Sequence, residues 1–137
     1  MSLNIVKLCV GAEDIGDLEA WQKRLMRTLP QPVHRTRMVP KRIDELLDGG
    51  SIYWVIKGLI QVRQRFEDIR VIDDRNGRKA CEFVLDPELI TVDPLPKRPF
   101  QGWRYLKPEE APSDVKTSTA GDDIPPHLHA KLKEAMV

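Results

Sequence analysis

The chain has 137 residues, 41% hydrophobic and 31% charged, which suits one domain with an ordinary core and excludes a disordered composition. Its 22 basic and 21 acidic side chains leave a net charge of +1, so no global field marks it for nucleic acid or membrane. Two cysteines without metal-ligand spacing exclude a disulfide framework and a four-cysteine zinc site, and no apolar run reaches the roughly 18 residues of a membrane helix. Residues Leu3–Val10 read as a central strand, with Val6, Leu8 and Val10 on one face and Leu3, Ile5 and Cys9 on the other. Asp14 is placed to cap a helix reaching Leu29, whose apolar stripe is Leu18, Trp21, Leu25 and Leu29. Pro30 and Pro32 end it. Val33–Val39 reads as a short strand. Pro40 then opens a second helix that buries Ile43, Leu46 and Leu47 and stops at Gly49-Gly50.

The remainder is dominated by strands. Ile52–Ile56 is the most apolar, and Trp54 within it is expected to be buried, unlike Trp103. Gly58 marks a bend or bulge. Leu59–Phe66 continues extended, with Ile60, Val62 and Phe66 on one face and Arg63 and Arg65 opposite Val62, Gln64 and Phe66. Ile69–Ile72 and Lys79–Leu85 flank Asn76-Gly77, a type I′ hairpin signal. Leu89–Val92 is a last short strand, after which Pro94, Pro96 and Pro99 give a stiff segment unable to continue a central sheet. Two helices followed by bunched strands predict an α+β fold, with the helices on a curled, largely antiparallel sheet or partial barrel. The domain is expected over residues 1–108. Residues 109–123 read as a flexible linker and 124–137 as a short helix carrying Leu128, Leu132 and Met136.

Charge is uneven along the chain. Residues 33–107 carry 15 basic and 11 acidic groups, net +4, against zero before them and −3 after. Two clusters concentrate the excess. Arg35, Arg37, Lys41 and Arg42 fall on a strand and a helix start, where cations and free N–H groups both favour anions. Lys97, Arg98, Arg104 and Lys107 interleave with Phe100, Trp103 and Tyr105, the cation-plus-ring composition of base stacking. The bland alternatives are a solvated edge strand for the first cluster and core-capping aromatics for the second.

Several phrases carry a resemblance. They are Ile5–Gly11, Met38–Arg42, Glu45–Gly58, Ile60–Gln64, Leu85–Leu89 and Arg98–Lys107. Together they resemble a bacterial family catalogued only as a domain of unknown function, numbered 1489, over about residues 1–110. The resemblance implies no activity. The short helix ending in glycine and feeding paired strands is loosely similar to PUA-type and ASCH-type RNA-binding pseudobarrels.

The expected function is a small cytoplasmic binding module for an anionic partner, RNA before other polyanions, through Arg35, Arg37, Lys41, Arg42, Lys97, Arg98, Trp103 and Arg104. The alternative is a small enzyme acting on a phosphorylated or carboxylated metabolite, with Tyr53 and Lys57 joining Arg35 and Arg37 in a pocket. A third option is a protein-interaction module using the C-terminal helix. His34 with Glu45 or Asp48 is the one acid/base pairing available. No nucleotide-binding glycine motif or serine-hydrolase elbow is present, His127 and His129 alone are a weak metal signal, and neither cofactor nor metal nor membrane partner is expected. With no signal-peptide pattern at the start, the thiols are expected to stay reduced in the cytoplasm.

Overall fold

The fold is taken from a computed structural model, which describes residues 2–115. The elements in chain order are β1 (Asn4–Leu8), α1 (Ile15–Leu25), β2 (Val33–Thr36), α2 (Ile43–Leu47), β3 (Ser51–Ile56), β4 (Leu59–Asp73), β5 (Lys79–Leu85), β6 (Ile90–Pro96) and β7 (Trp103–Leu106). Seven strands make one mixed sheet in the order β2-β5-β4-β3-β1-β7, with β6 also on β4. Only β1–β3 is parallel. This is the α+β, largely antiparallel sheet that the element order predicted.

Strand β4 is the spine. Its first half pairs with β3 on one edge and β6 on the other, and its second half pairs with β5. Since β5 and β3 flank β4 on opposite sides, β5 and β6 run end to end along a single edge, separated by residues 86–89. The two short strands expected here are one strand of 15 residues with a register shift between Phe66 and Asp68. A second bulge at Gln61 corrects the expected alternation. Trp54 pairs with Val62 but Val55 pairs with Ile60, so Ile60 and Val62 fall on opposite faces.

Each face of the sheet buries its own cluster. One holds Leu3, Ile5, Ile52, Trp54, Val62, Phe66, Phe83 and Trp103 beneath Leu18 of α1 and Leu46 of α2. The other holds Val6, Tyr53, Val55, Ile60, Val92 and Leu106, with Phe100 and Ala111 packed against it. The two-sided apolar character of β1 and β3 follows, since each strand faces a cluster on both sides. Val10 lies past the end of β1 and is exposed.

Edge strand β7 is tied by its side chains to residues 38–42, the segment between β2 and α2. Trp103 Nε1–H donates to the Met38 carbonyl at 2.8 Å, and Tyr105 Oη accepts the N–H groups of Lys41 (3.0 Å) and Arg42 (3.2 Å). The sheet is therefore curled and not closed, with these side chains tying β7 to the segment before α2. These two rings belong to β7, a strand that the proline-rich approach concealed. β6 itself runs through Pro94 and Pro96, which an edge strand tolerates. The bridge also corrects one contrast, because Trp103 is buried like Trp54, with 6% and 1% of their surfaces exposed.

Local chemistry explains the ends of the elements. Asp14 caps α1 by accepting the Asp17 N–H at 2.9 Å. The helix stops at Leu25, four residues early, where the Arg27 and Thr28 N–H groups turn back three residues to the Arg24 and Leu25 carbonyls, and Leu29 leaves the stripe exposed. Lys57 and Gly58 both have positive φ, 54° and 76°, in a two-residue turn between β3 and β4, so the interruption in the apolar run is a hairpin tip. At the β4–β5 turn only Gly77 is left-handed, with φ 77°. Gly77 N–H donates to the Asp74 carbonyl at 3.0 Å, so this turn is longer than the expected two-residue type I′ turn.

A buried amide pair pins α1 to the sheet. Gln22 Nε2 donates to Gln64 Oε1 at 2.6 Å and Gln64 Nε2 returns a bond to Gln22 Oε1 at 2.8 Å. Trp54 Nε1–H also donates to Gln64 Oε1, and the Asp86 carbonyl accepts from Gln64 Nε2. Gln64→Leu or Gln22→Leu alone is expected to cost about 2 kcal/mol, because each strands the other amide in an apolar cluster. The double variant is expected to cost clearly less than the sum. Denaturant titration of the four proteins checks this, and simple additivity would remove the pair from its pinning role.

The described fold continues past the expected boundary at 108. After the 3-10 turn Pro108–Glu110 the chain crosses to β6, where Asp93 N–H donates to the Ser113 carbonyl and Val115 N–H to the Thr91 carbonyl. Arg63 clamps this segment with two bonds to the Asp114 carboxylate, 2.7 and 2.8 Å, and donates a third to Ser51 Oγ. The rest of the expected linker and the C-terminal helix lie outside the described residues.

Candidate functional site

The first basic cluster is partly spent within the fold. Arg35 of β2 reaches Glu82 of β5 at 3.1 Å, and Glu82 also binds Arg70 of β4 at 3.2 Å, which makes a charge ladder across three neighbouring strands. Arg42 is held by Glu45 one helical turn away, at 2.8–3.1 Å through Nε, and lies over the Tyr105 ring. The hydrogen bond to Glu45 raises its pKa above the usual guanidinium value. The N–H groups expected to receive an anion at the start of α2 are those already donated to Tyr105 Oη. Arg37 and Lys41 keep exposed side chains without an ion-pair partner among the described residues.

The second cluster gathers around one ring. Arg104 lies 5.0 Å from the Phe100 centroid and Lys97 5.9 Å, so two cations share a half-buried aromatic. Arg98, between them in the chain, is exposed. None of the three has a carboxylate partner among the described residues. Alternation along β7 separates this group from the first cluster. Trp103 packs with the helix-covered cluster, while Arg104 pairs in register with Val6 and faces the other way. The curled sheet therefore brings residues 37–42 beside β7 but distributes the cations over two faces. Trp103, expected as a stacking platform, offers no open ring face. Its N–H goes to Met38 and its ring meets Tyr105 edge-on at 5.0 Å.

The residues of the alternative pocket do not meet. Lys57, at the hairpin tip, pairs with Glu13, and that bond raises its pKa. Tyr53 lies about 13 Å along β3 from it, four residues at strand rise. There burial raises the phenol's pKa against a smaller opposing effect of Arg63. Arg63 in turn holds the Asp114 carboxyl below its usual value. An open depression of about 490 Å³ beside α2 is lined by Asp44, Glu45, Leu47 and Asp48, three carboxylates where a phosphate would need cations. His34 is not placed with Glu45, which binds Arg42. Its ring packs among Trp21 (6.1 Å), Trp54 (5.3 Å) and Phe83 (6.5 Å).

Sequence reasoning missed a second group on the helix-covered face. Lys7 of β1 stands in register between Trp54 of β3 and Trp103 of β7. Burial lowers its pKa, and burial raises the thiol of Cys9, two residues on, to about 11. Burial and then the charge of Lys7 push His34 down to about 4. The signal available in the sequence was Lys7 itself, a cation on the Ile5–Cys9 face of an otherwise apolar strand. Among the described residues no three His, Cys, Asp or Glu side chains come together as a metal site, and no helix is long and apolar enough to cross a membrane.

A family model described as a protein of unknown function, DUF1489, matches residues 5–137. No curated protein and no solved structure matches the chain.

Proposed function

The chain belongs to the DUF1489 family, whose description states no activity, and from the geometry we propose that it is a small cytoplasmic binding module for an anionic partner, RNA. The observation that carries this reading is the pair Lys97 and Arg104 over the Phe100 ring, with the exposed Arg98 between them in the chain. The fold spends Arg35, Arg42, Lys57, Arg63, Arg70 and Lys79 on carboxylates, yet among the described residues it leaves these three without a carboxylate partner, two of them, Lys97 and Arg104, over one ring. Unpaired cations beside a ring suit phosphates and an unstacked base together. Arg37 and Lys41 extend the basic surface on the far side of β7.

The test is a binding titration against single-stranded and structured RNA at several salt concentrations. Affinity is expected to fall with salt, by about 0.7 log units per log unit of salt for each phosphate neutralised on a single strand. Replacing Lys97, Arg98 and Arg104 by Ala is expected to weaken binding and flatten that slope by about 2. Absence of binding at low salt would sink the RNA reading. Binding with an unchanged slope in the variant would sink the choice of surface.

A further inference from the structure

We propose that Lys57, at the tip of the β3–β4 hairpin, is a further contact residue for the anionic partner, on a rim that the tip shares with Lys97, Arg98 and Phe100; this rests on the RNA reading for the identity of the anion. Lys57 stands where its residue type is locally unfavourable. Among the described residues it is the one non-glycine with positive φ, at 54°. The turn imposes that angle, because a two-residue hairpin loop of this kind is left-handed at both central positions. Gly, Asn or Asp fills such a position at least cost, whereas a longer side chain crowds its Cβ against the backbone. The next residue obeys the rule, with Gly58 at φ 76°. A residue that breaks a local rule in an otherwise consistent turn points to a role outside folding.

The side chain does little for the fold. Its bond to Glu13 joins two exposed groups, with 58% and 70% of their side-chain surfaces open to water, and ion pairs of this kind contribute little to stability. Strand pairing, in contrast, carries the tip to the basic surface. The Gly58 carbonyl accepts the Lys97 N–H at 2.9 Å, and Leu59 pairs with Pro96. At this same end of the sheet Leu8 is in register with Val55, and β7 begins opposite Lys7. The hairpin tip, residues 97–102 and the start of β7 therefore make one rim. On it Lys97 and Arg104 lie over Phe100, and Arg98 is exposed. A Cβ built at Gly58 would meet nothing within 4 Å, so the tip stands clear for a partner to approach. Lys57 adds a fourth cation to this rim, and a single strand is held by several cations along its backbone.

The experiment combines thermal unfolding with oligonucleotide titration of the full chain carrying Lys57→Gly, Lys57→Asn or Glu13→Gln. Both Lys57 variants are expected to unfold about 2–6 °C above the wild type, because residues that accept a left-handed backbone replace one that resists it. If neither is more stable, Lys57 serves the fold and the proposal is overturned with no RNA present. Against a single-stranded oligonucleotide at low salt the same two variants are expected to bind about threefold or more weakly, and to lower the salt slope by about 0.7. A gain in stability with a loss of binding is a combination that a purely structural lysine does not produce. Glu13→Gln removes the competing carboxylate and is expected to bind about twofold more tightly. Unchanged affinity in both Lys57 variants, while replacement of Lys97, Arg98 and Arg104 still weakens binding, would overturn the Lys57 contact and leave the RNA reading standing. A wild type that binds no oligonucleotide at low salt would overturn that reading and the contact with it.

Discussion

Trp54→Ala is expected to lower the free energy of unfolding by about 3–5 kcal/mol, the range for deleting a large aromatic from a closely packed core. Trp54 is only 1% exposed and sits at the centre of β3. Its ring meets His34 at 5.3 Å, and its N–H completes the Gln22–Gln64 network. Three losses therefore coincide: apolar burial, a cavity, and one of the donors to Gln64 Oε1. Trp54→Phe separates them, because it retains most of the burial and loses the hydrogen bond. It is expected to cost about 1–2 kcal/mol. Denaturant unfolding monitored by far-ultraviolet circular dichroism measures both. A loss below about 1 kcal/mol for Trp54→Ala would show that the cluster collapses onto the cavity and does not depend on this ring.

Acid is expected to destabilise the protein through His34 before the carboxylates are fully protonated. The folded imidazole titrates near 4, because burial and then the charge of Lys7 oppose its protonation. In the unfolded chain it titrates near 6.5. Above pH 6.5 both states are neutral and stability is complete. Between about 6.5 and 4 the unfolded chain takes up a proton that the folded chain refuses, so stability falls as pH falls. A difference of this size corresponds to about 3 kcal/mol. Asp114 loses its bonds to Arg63 over a lower range, in the same direction, because its folded pKa is depressed. The comparison with His34→Phe isolates the histidine. Unfolding free energies at pH 7 and pH 4 are expected to differ by about 3 kcal/mol more in the wild type than in the variant. Parallel pH curves would show that His34 opens to water in the folded state.

Much of the sheet was legible because alternation survives burial. The faces of β1, the cap at Asp14, the burial of Trp54 and the opposition of Arg63 and Arg65 to Val62, Gln64 and Phe66 all follow from local rules of period and capping. The errors lie where a local rule met a partner distant in sequence. Gln61 looks like an ordinary exposed strand residue, yet its bulge reverses the faces of Ile60 and Val62, because β3 and β4 must keep pairing while both curl. β7 was hidden behind prolines, since its place in the sheet comes from pairing with β1, almost a hundred residues earlier.

The candidate site divides in the same way. Composition and spacing alone identified the basic clusters and the aromatic interleaving, because charge and ring content are properties of the chain. Which cations remain available depended on carboxylates from other strands. Glu82 takes Arg35 and Asp114 takes Arg63, from 47 and 51 residues away. The same curl buries Trp103 against Met38 and separates Arg104 from it by one step of alternation. Lys7, His34 and the three tryptophans come from β1, α1, β2, β3 and β7, and no local pattern links them. The sequence by itself determined the element types and the charge of each segment, because propensity, period and composition act over a few residues. Only the tertiary structure decided which polar groups were satisfied and which were left unpaired, because a hydrogen bond or an ion pair needs a second partner, and folding brings that partner from elsewhere in the chain.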